Sequence, residues 1–223
     1  MKVYRESYGL YAVQGWLFNH EGTRRGEEFV TRKITKGAVR IASELINTGK
    51  EPTPIQLGNM SSKRDWSDAE DFVDGVWRML NQDEYNPEIL EERRRKGLDG
   101  TILLPGAHEA MLHKKLAGVL KEYVLSSNET HTVAEFVYRA FEAAGIEVQL
   151  KFDKPNIEDW STARFVIANT DIPVVVTSKE FFRPAEVDIL LGDSTLARKE
   201  LGWNPKTSFQ QLVTKMVEAD ARV

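Results

Sequence analysis

Cysteine is absent from the 223 residues. Its absence excludes disulfide staples, thiolate metal ligands and thiol nucleophiles, and it fits a reducing compartment, so the expected location is the cytoplasm. No run approaches the roughly 20 apolar residues of a membrane span, and the polar first ten residues, with Lys2, Arg5 and Glu6, lack the apolar stretch of a signal peptide. Positive charge is not in excess. With 30 Lys and Arg against 34 Asp and Glu, the formal net charge is −4. A nucleic-acid or anionic-membrane partner would therefore need a local patch; Arg93 to Lys96 is a weak one, and neither partner is expected. Although there are 15 glycines, no two stand one residue apart, so no Gly-x-Gly phosphate loop is present. None of the 6 tyrosines is followed four residues later by lysine, which removes the Tyr-x-x-x-Lys dyad, and no catalytic residue is assigned. His108, His113 and His131 share no metal-ligand spacing with carboxylates, and no metal is expected.

What is present is an ordinary globular composition, 41% hydrophobic and 29% charged, enough for one substantial core or two modest ones. Leu10 to Phe18 reads as a buried strand that runs into a polar loop, Asn19 to Gly26, holding Arg24 and Arg25. Phe29, Val30, Ile34, Ala38, Ile41, Ala42 and Leu45 recur at helical spacing until Asn47 and Gly49, the usual residues of a helix end. Thr53 to Gly58 holds a short strand. After Ser61 to Ser67, Phe72, Val73, Val76, Trp77 and Leu80 mark a second helix, which puts Arg64 at a helix entrance. Tyr85 to Leu120 degenerates into charge, glycine and proline and reads as an insertion. Glu122 to Ser127 reads as a strand, and Thr132 with Glu135 forms a capping box ahead of a helix that Gly145 ends. Ile146 to Phe152, Arg164 to Ala168 and Pro173 to Thr177 read as a small satellite sheet. Two capped helices follow, Ser194 into Leu201 and Ser208 into Val217. The strands at Leu10 to Phe18, near Ile55 and near Tyr123 are expected in different layers.

Four ordered blocks cover the chain nearly end to end: LFNHEGTRRGEEFVTRKI, LGNMSSKRDWSDAEDFVDGVWRML, YVLSSNETHTVAEFV and FFRPAEVDILLGDSTLARKELGWNPKTSFQQLVTKMV. Together they resemble GDP-mannose 4,6-dehydratase, of the extended short-chain dehydrogenase/reductase superfamily, in its carboxyl-terminal part. The pattern GDSTLARKELGW is shared across that superfamily; NHE with the arginine pair, TRK, KRDW and RPAE are narrower. Departures are Gly22 and Thr23 in place of Ser-Pro, the insertion at 85–120, and the atypical stretch Phe152 to Ile172. The resemblance implies an α/β, truncated Rossmann-type fold: the last strand-helix units plus the small substrate-binding domain. It implies that 1–58 is a remnant of the dinucleotide-binding domain with the start of the substrate domain, and that 59–223 is mainly nucleotide-sugar binding.

It implies an activity as well, the NADP-dependent conversion of GDP-mannose to GDP-4-keto-6-deoxymannose, a lyase reaction of nucleotide-sugar metabolism. The Gly-rich loop and the Tyr-Lys dyad of that reaction belong to the half these residues do not carry. By the resemblance, Arg183 clamps the pyrophosphate and Glu186 accepts from the ribose; read alone, an Arg-x-x-Glu pair is most often a surface ion pair. Arg64 is a second phosphate contact or, on its spacing alone, a capping ion pair with Asp65 or Asp68. Val30 and Lys33 face the guanine, and Asn19 lies near the phosphates. His20 and Arg25 are the cofactor-side residues. Arg183, Glu186, Arg64, Lys33 and Asn19 are expected to converge on one cleft. The implied partners are GDP-mannose, a separate chain carrying the other half, and further copies of the chain in a homo-oligomer. The competing expectation is a non-catalytic nucleotide-sugar-binding or assembly remnant.

Overall fold

The computed structural model describes residues 1–8, 12–82, 87–95, 120–154, 157–182, 187 and 189–222. Most of the expected insertion, and both Arg183 and Glu186, lie outside the described residues. The chain forms two compact units. One comprises Met1–Phe18, Ala69–Asn128 and Gly192–Lys206; the other comprises Asn19–Asp68, Glu129–Leu191 and Thr207–Val223. The division is interleaved rather than sequential, with residues on both sides of position 58 contributing to each unit.

The first unit begins with a helix the sequence did not announce, α1 (Lys2–Tyr8), and is built on two parallel strands, β1 (Gly15–Leu17) and β6 (Tyr123–Leu125). These two strands are hydrogen-bonded neighbours, with Gly15 opposite Tyr123. The expectation that they lie in different layers is therefore corrected: parallel pairing joins segments far apart in sequence, which local periodicity does not report. Helices α3 (Ala69–Leu80) and α6 (Thr195–Leu201) pack against them through Phe72, Met79, Ala197 and Leu201 around Tyr123, Leu125 and the fully buried Trp203. The Trp203 indole N–H donates to the Asp71 carbonyl at 2.8 Å, which satisfies the polar tip of a buried aromatic. Ser194 does not cap α6 with its side chain. Its hydroxyl donates to the Ser126 carbonyl at 3.0 Å instead, because the residue is buried beside that strand end. A further helix, α4 (Pro87–Arg95), falls in the region expected as an insertion.

The second unit has the larger core. Helix α2 (Val30–Thr48) buries Ile34, Ala38 and Ile41 on one face and ends at Gly49, whose φ of 61° is the left-handed cap that glycine adopts without strain. It packs with α5 (Val133–Ala143) and α7 (Phe209–Asp220). Thr132 accepts from the Glu135 amide at 3.0 Å, but the Glu135 carboxylate turns to His131 Nδ1 at 3.1 Å rather than closing the expected box. Ser208 and Gln211 do form the reciprocal box at the start of α7. The expected satellite strands are β8 (Val148–Lys151), β9 (Arg164–Ile167) and β10 (Pro173–Thr177). They share a four-stranded sheet with β3 (Ile55–Leu57), in the order β3-β10-β9-β8, with β3 parallel to β10 and the other pairs antiparallel. Ile55, Leu57, Val148, Phe165, Val174 and Val175 join the three helices in one core. Shorter pairings complete the unit. β2 (Asn19–Glu21) runs parallel to β5 (Trp66–Asp68), while β4 (Lys63–Arg64) lies between β11 (Ile189–Leu190) and β7 (His131–Thr132).

Candidate functional site

A cavity of about 540 Å³ opens in the second unit. Its wall brings together Asn19, Arg25, Val30, Lys33 and Arg64, five of the residues singled out from sequence, with Glu21, Phe29, Thr31, Gln56, Asn59, Ser62, Glu180 and Phe181. Asn19 and Glu21 reach it from β2, where alternate residues share a face. His20, between them, is not among the lining residues. Val30, Thr31 and Lys33 come from the first turn of α2.

Arg64 lies on β4 and not at a helix entrance, since α3 begins only at Ala69. The expected placement of Arg64 at a helix entrance is corrected accordingly. The β-pairing of Lys63 with Ile189 and of Arg64 with His131 holds the segment extended. One terminal nitrogen of Arg64 donates to the carbonyls of Val187 at 2.7 Å and Lys63 at 2.8 Å. The capping alternative is not among these contacts, and Asp68 pairs with Lys215 at 2.9 Å.

Glu21 is the most deeply placed charge in the cavity wall, 2% exposed. Its Oε2 accepts from the Thr31 hydroxyl at 2.7 Å and lies 3.0 Å from Arg25 Nε. The second contact is a close ion pair without the alignment of a hydrogen bond. Burial pushes the Glu21 carboxyl above the usual carboxylate range, against the opposing pull of the Thr31 hydrogen bond and of the Arg25 and His20 charges. The Arg25 guanidinium also lies over the Phe29 ring, 3.5 Å from its centroid. Lys33 Nζ sits 3.8 Å from the Phe181 ring centroid. Desolvation lowers the Lys33 ammonium below its ordinary value, with Glu180 acting in the other direction.

Phe181 reaches the site because Gly58 allows it. A Cβ at position 58 would lie 2.3 Å from the Phe181 carbonyl oxygen, so only glycine lets the short 3₁₀ turn Lys179–Phe181 pack so close to the end of β3. The Ser178 amide, donating to the Leu57 carbonyl at 2.8 Å, fastens the same approach. A shallower groove of about 550 Å³ shares Lys33, Gln56 and Phe181 with the cavity and continues over Lys36, Gly37 and Arg40 of α2.

The arrangement suits a ligand with anionic groups and a flat apolar part. Arg25, Lys33 and Arg64 supply positive charge, Phe29 and Phe181 supply ring faces, and Gln56, Asn59 and Ser62 supply neutral donors and acceptors. The motif blocks contain Glu21, Thr31 and Phe181 as well, but roles were drawn only for Asn19, Arg25, Val30, Lys33 and Arg64. Glu21 was hidden because Asn19 to Gly26 read as a polar loop, whereas Asn19–Glu21 forms β2, which carries Glu21 to the cavity. For Phe181 no local signal exists, because its place depends on the remote Gly58.

The family model described as GDP-mannose 4,6 dehydratase matches residues 1–100 and 106–216. Among curated proteins, GDP-mannose 4,6 dehydratase of Drosophila melanogaster is 36% identical over 220 residues, covering 97% of this chain and 43% of its own length. GDP-mannose 4,6-dehydratase of Vibrio cholerae serotype O1 is 36% identical over 224 residues, covering 97% of this chain and 48% of its own. The chain thus spans about half the length of the curated relatives it matches. Among solved structures, RMD from Pseudomonas aeruginosa complexed with NADPH aligns over 100% of this chain and 52% of that one, with a TM-score of 0.61 and 16% identity. The dTDP-glucose 4,6-dehydratase from Bacillus anthracis in complex with NAD aligns over 98% and 47%, with a TM-score of 0.56 and 14% identity. The mixed α/β fold is shared with about half of each of these two structures.

Proposed function

Because the chain belongs to the GDP-mannose 4,6-dehydratase family, we propose that its cavity holds GDP-mannose for conversion to GDP-4-keto-6-deoxymannose, in an NADP-dependent lyase completed by the half the chain does not carry. One observation carries this reading: Asn19, Val30 and Lys33, assigned to the nucleotide sugar by the resemblance, line a single cavity together with Arg64. Arg64 offers charge to a pyrophosphate, and Val30 and Lys33 with the Phe181 ring line the place of the base. Arg183 and Glu186 keep their proposed roles on the pyrophosphate and ribose. The second unit is the nucleotide-sugar domain, and the first is the remnant of the dinucleotide-binding domain.

Toward the cofactor the residues fit in part. Arg25 supplies a guanidinium held on one edge and one face, which suits a phosphate, while His20 lies on β2 outside the lining of the cavity. The dinucleotide as a whole needs the Gly-rich loop, which these 223 residues lack. The cofactor, when bound, supplies hydride transfer; the residues present orient and neutralise anions around it. The second reading, a non-catalytic nucleotide-sugar binder or assembly remnant, rests on the same cavity and on the lack of a Tyr-x-x-x-Lys dyad in this stretch. The proposed location is the cytoplasm, and a homo-oligomer is the proposed state of the complete enzyme.

Titration calorimetry of the full chain with GDP, GDP-mannose and NADP tests the reading. GDP and GDP-mannose should bind, more weakly in Arg64→Gln and Lys33→Gln, and NADP more weakly than either. The chain alone should not turn over GDP-mannose. Adding a separately expressed amino-terminal half of a relative should restore turnover if the first reading is right and leave it at zero if the second is. Failure of GDP to bind, or unchanged affinity in both variants, overturns the site assignment.

A further inference from the structure

We propose that Glu21 is a positioning residue that presets the Arg25 guanidinium to receive a phosphate entering the cavity. The inference rests on the nucleotide-binding reading above. Glu21, Arg25, Phe29 and Thr31 all line that cavity. Two contacts hold the arginine, and a third anchors the carboxylate that makes one of them. The Glu21 carboxylate holds the Nε edge at 3.0 Å, the Phe29 ring covers one face at 3.5 Å, and the Thr31 hydroxyl, bonded to the same carboxylate oxygen at 2.7 Å, anchors Glu21 to the first turn of α2. The Arg25 amide, donating to the Gly22 carbonyl at 3.0 Å, closes the turn that carries it. Glu21 is itself fixed by the pairing of β2 with β5, where it stands opposite Asp68.

A buried carboxylate whose charge is spent on one arginine has a cost in desolvation, and the offset here is order in the ligand site. An arginine free in solvent loses its rotamer entropy when it binds a phosphate; one already held on an edge and a face loses it on folding, and more of the contact energy appears as affinity. The Nε edge and one face are occupied by protein, so the terminal edge of the guanidinium is the part left to make a bidentate contact. The phosphate could come from a nucleoside diphosphate or from the dinucleotide.

The test is a double-mutant cycle on the full chain with GDP and NADP as separate probes, using Glu21→Gln, Arg25→Gln and the double variant. The glutamine carbonyl can still accept from Thr31, so the strand and helix stay joined while the charge is lost. For the probe whose phosphate Arg25 meets, each single variant should weaken binding roughly three- to tenfold, and the double should be no weaker than Arg25→Gln. Phenylglyoxal labelling of Arg25, read by mass spectrometry without ligand, should be faster in Glu21→Gln than in the natural chain. Labelling of the natural chain should also speed up on acidification as Glu21 takes a proton, a pH response that Glu21→Gln lacks. Arg25 and His20 are the charges acting on Glu21 within its own segment, Thr31 faces it from α2, and Asp68 stands opposite on β5. Additive losses for both probes, or unchanged affinity together with unchanged labelling in Glu21→Gln, overturn the proposal. Should neither probe bind the natural chain while the labelling still responds as stated, the nucleotide reading fails and the positioning of Arg25 by Glu21 stands.

Discussion

Arg32 on α2 and Asp220 at the end of α7 form a buried ion pair, with Arg32 Nη2 2.7 Å from Asp220 Oδ1. The aspartate side chain is 1% exposed, and neither carboxylate oxygen has an aligned hydrogen bond, so the arginine charge is what compensates it. Replacing Arg32 with methionine keeps most of the stem's bulk and removes that charge. Leaving a buried charge unpaired costs about 3 to 5 kcal/mol, which for a chain of this length is a melting-temperature loss of roughly 6 to 20 °C. Asp220→Asn should cost less, about 1 to 3 kcal/mol, because Arg32 also donates to the Thr23 carbonyl and keeps that partner. The double variant Arg32→Met with Asp220→Leu should return to within about 2 kcal/mol of the natural chain, since well-packed apolar residues often replace a buried ion pair at little cost. Urea denaturation followed by circular dichroism measures the differences. Amide exchange in α2 and α7 assigns them to the second unit, because two units need not unfold in one step. If Arg32→Met melts within about 1 kcal/mol of the natural chain, Asp220 is not an uncompensated charge and the reasoning fails.

The depressed Lys33 ammonium should make it one of the more readily acylated lysines at mildly alkaline pH, and GDP should protect it; peptide mapping after limited acetylation that finds Lys33 no more reactive than Lys50 refutes this. Gly58→Ala puts a Cβ against main chain that no rotamer change can relieve. It should cost about 1 to 3 kcal/mol and weaken GDP binding by displacing Phe181, and an unaltered GDP affinity in a folded variant counts against the role of that ring. For Glu21, the folded carboxyl titrates above the unfolded one, so between those two values the folded chain holds a proton that the unfolded chain has released. Stability from that proton is present below the ordinary value and is lost as pH rises through the raised one. Glu21→Gln should therefore remove a decline in urea midpoint as pH rises above the ordinary carboxylate range, and an unchanged slope would contradict the assignment.

Helices were the most legible part of the chain. Ile34, Ala38 and Ile41 announce α2 at helical spacing, Gly49 announces its end, and Ser208 announces the start of α7. Pairings were not. The partnership of β1 with β6 joins residues more than a hundred positions apart, and nothing in either segment names the other. Arg64 shows the consequence for the site. Its closeness to α3 in sequence suggested a helix entrance, while its actual neighbours, Val187, Leu190 and His131, come from remote segments. The site residues themselves were readable because ordered motif blocks carried them, and Glu21 was not, because Asn19 to Gly26 read as a loop and forms a strand only at Asn19–Glu21. Ser194 shows the limit of capping signals: a serine in the right place was drawn to a buried carbonyl instead.

The interleaving of the two units bears on how the chain can be taken apart. The path changes unit after Phe18, Asp68, Asn128, Leu191 and Lys206, so neither unit corresponds to a continuous stretch of gene. No pair of restriction sites isolates the cavity-bearing unit, and a truncation at either end removes part of one unit while stranding segments of the other. Dissection must proceed by point substitution or by circular permutation with designed splices. A deletion series, informative for domains arranged in tandem, would here report only the loss of both.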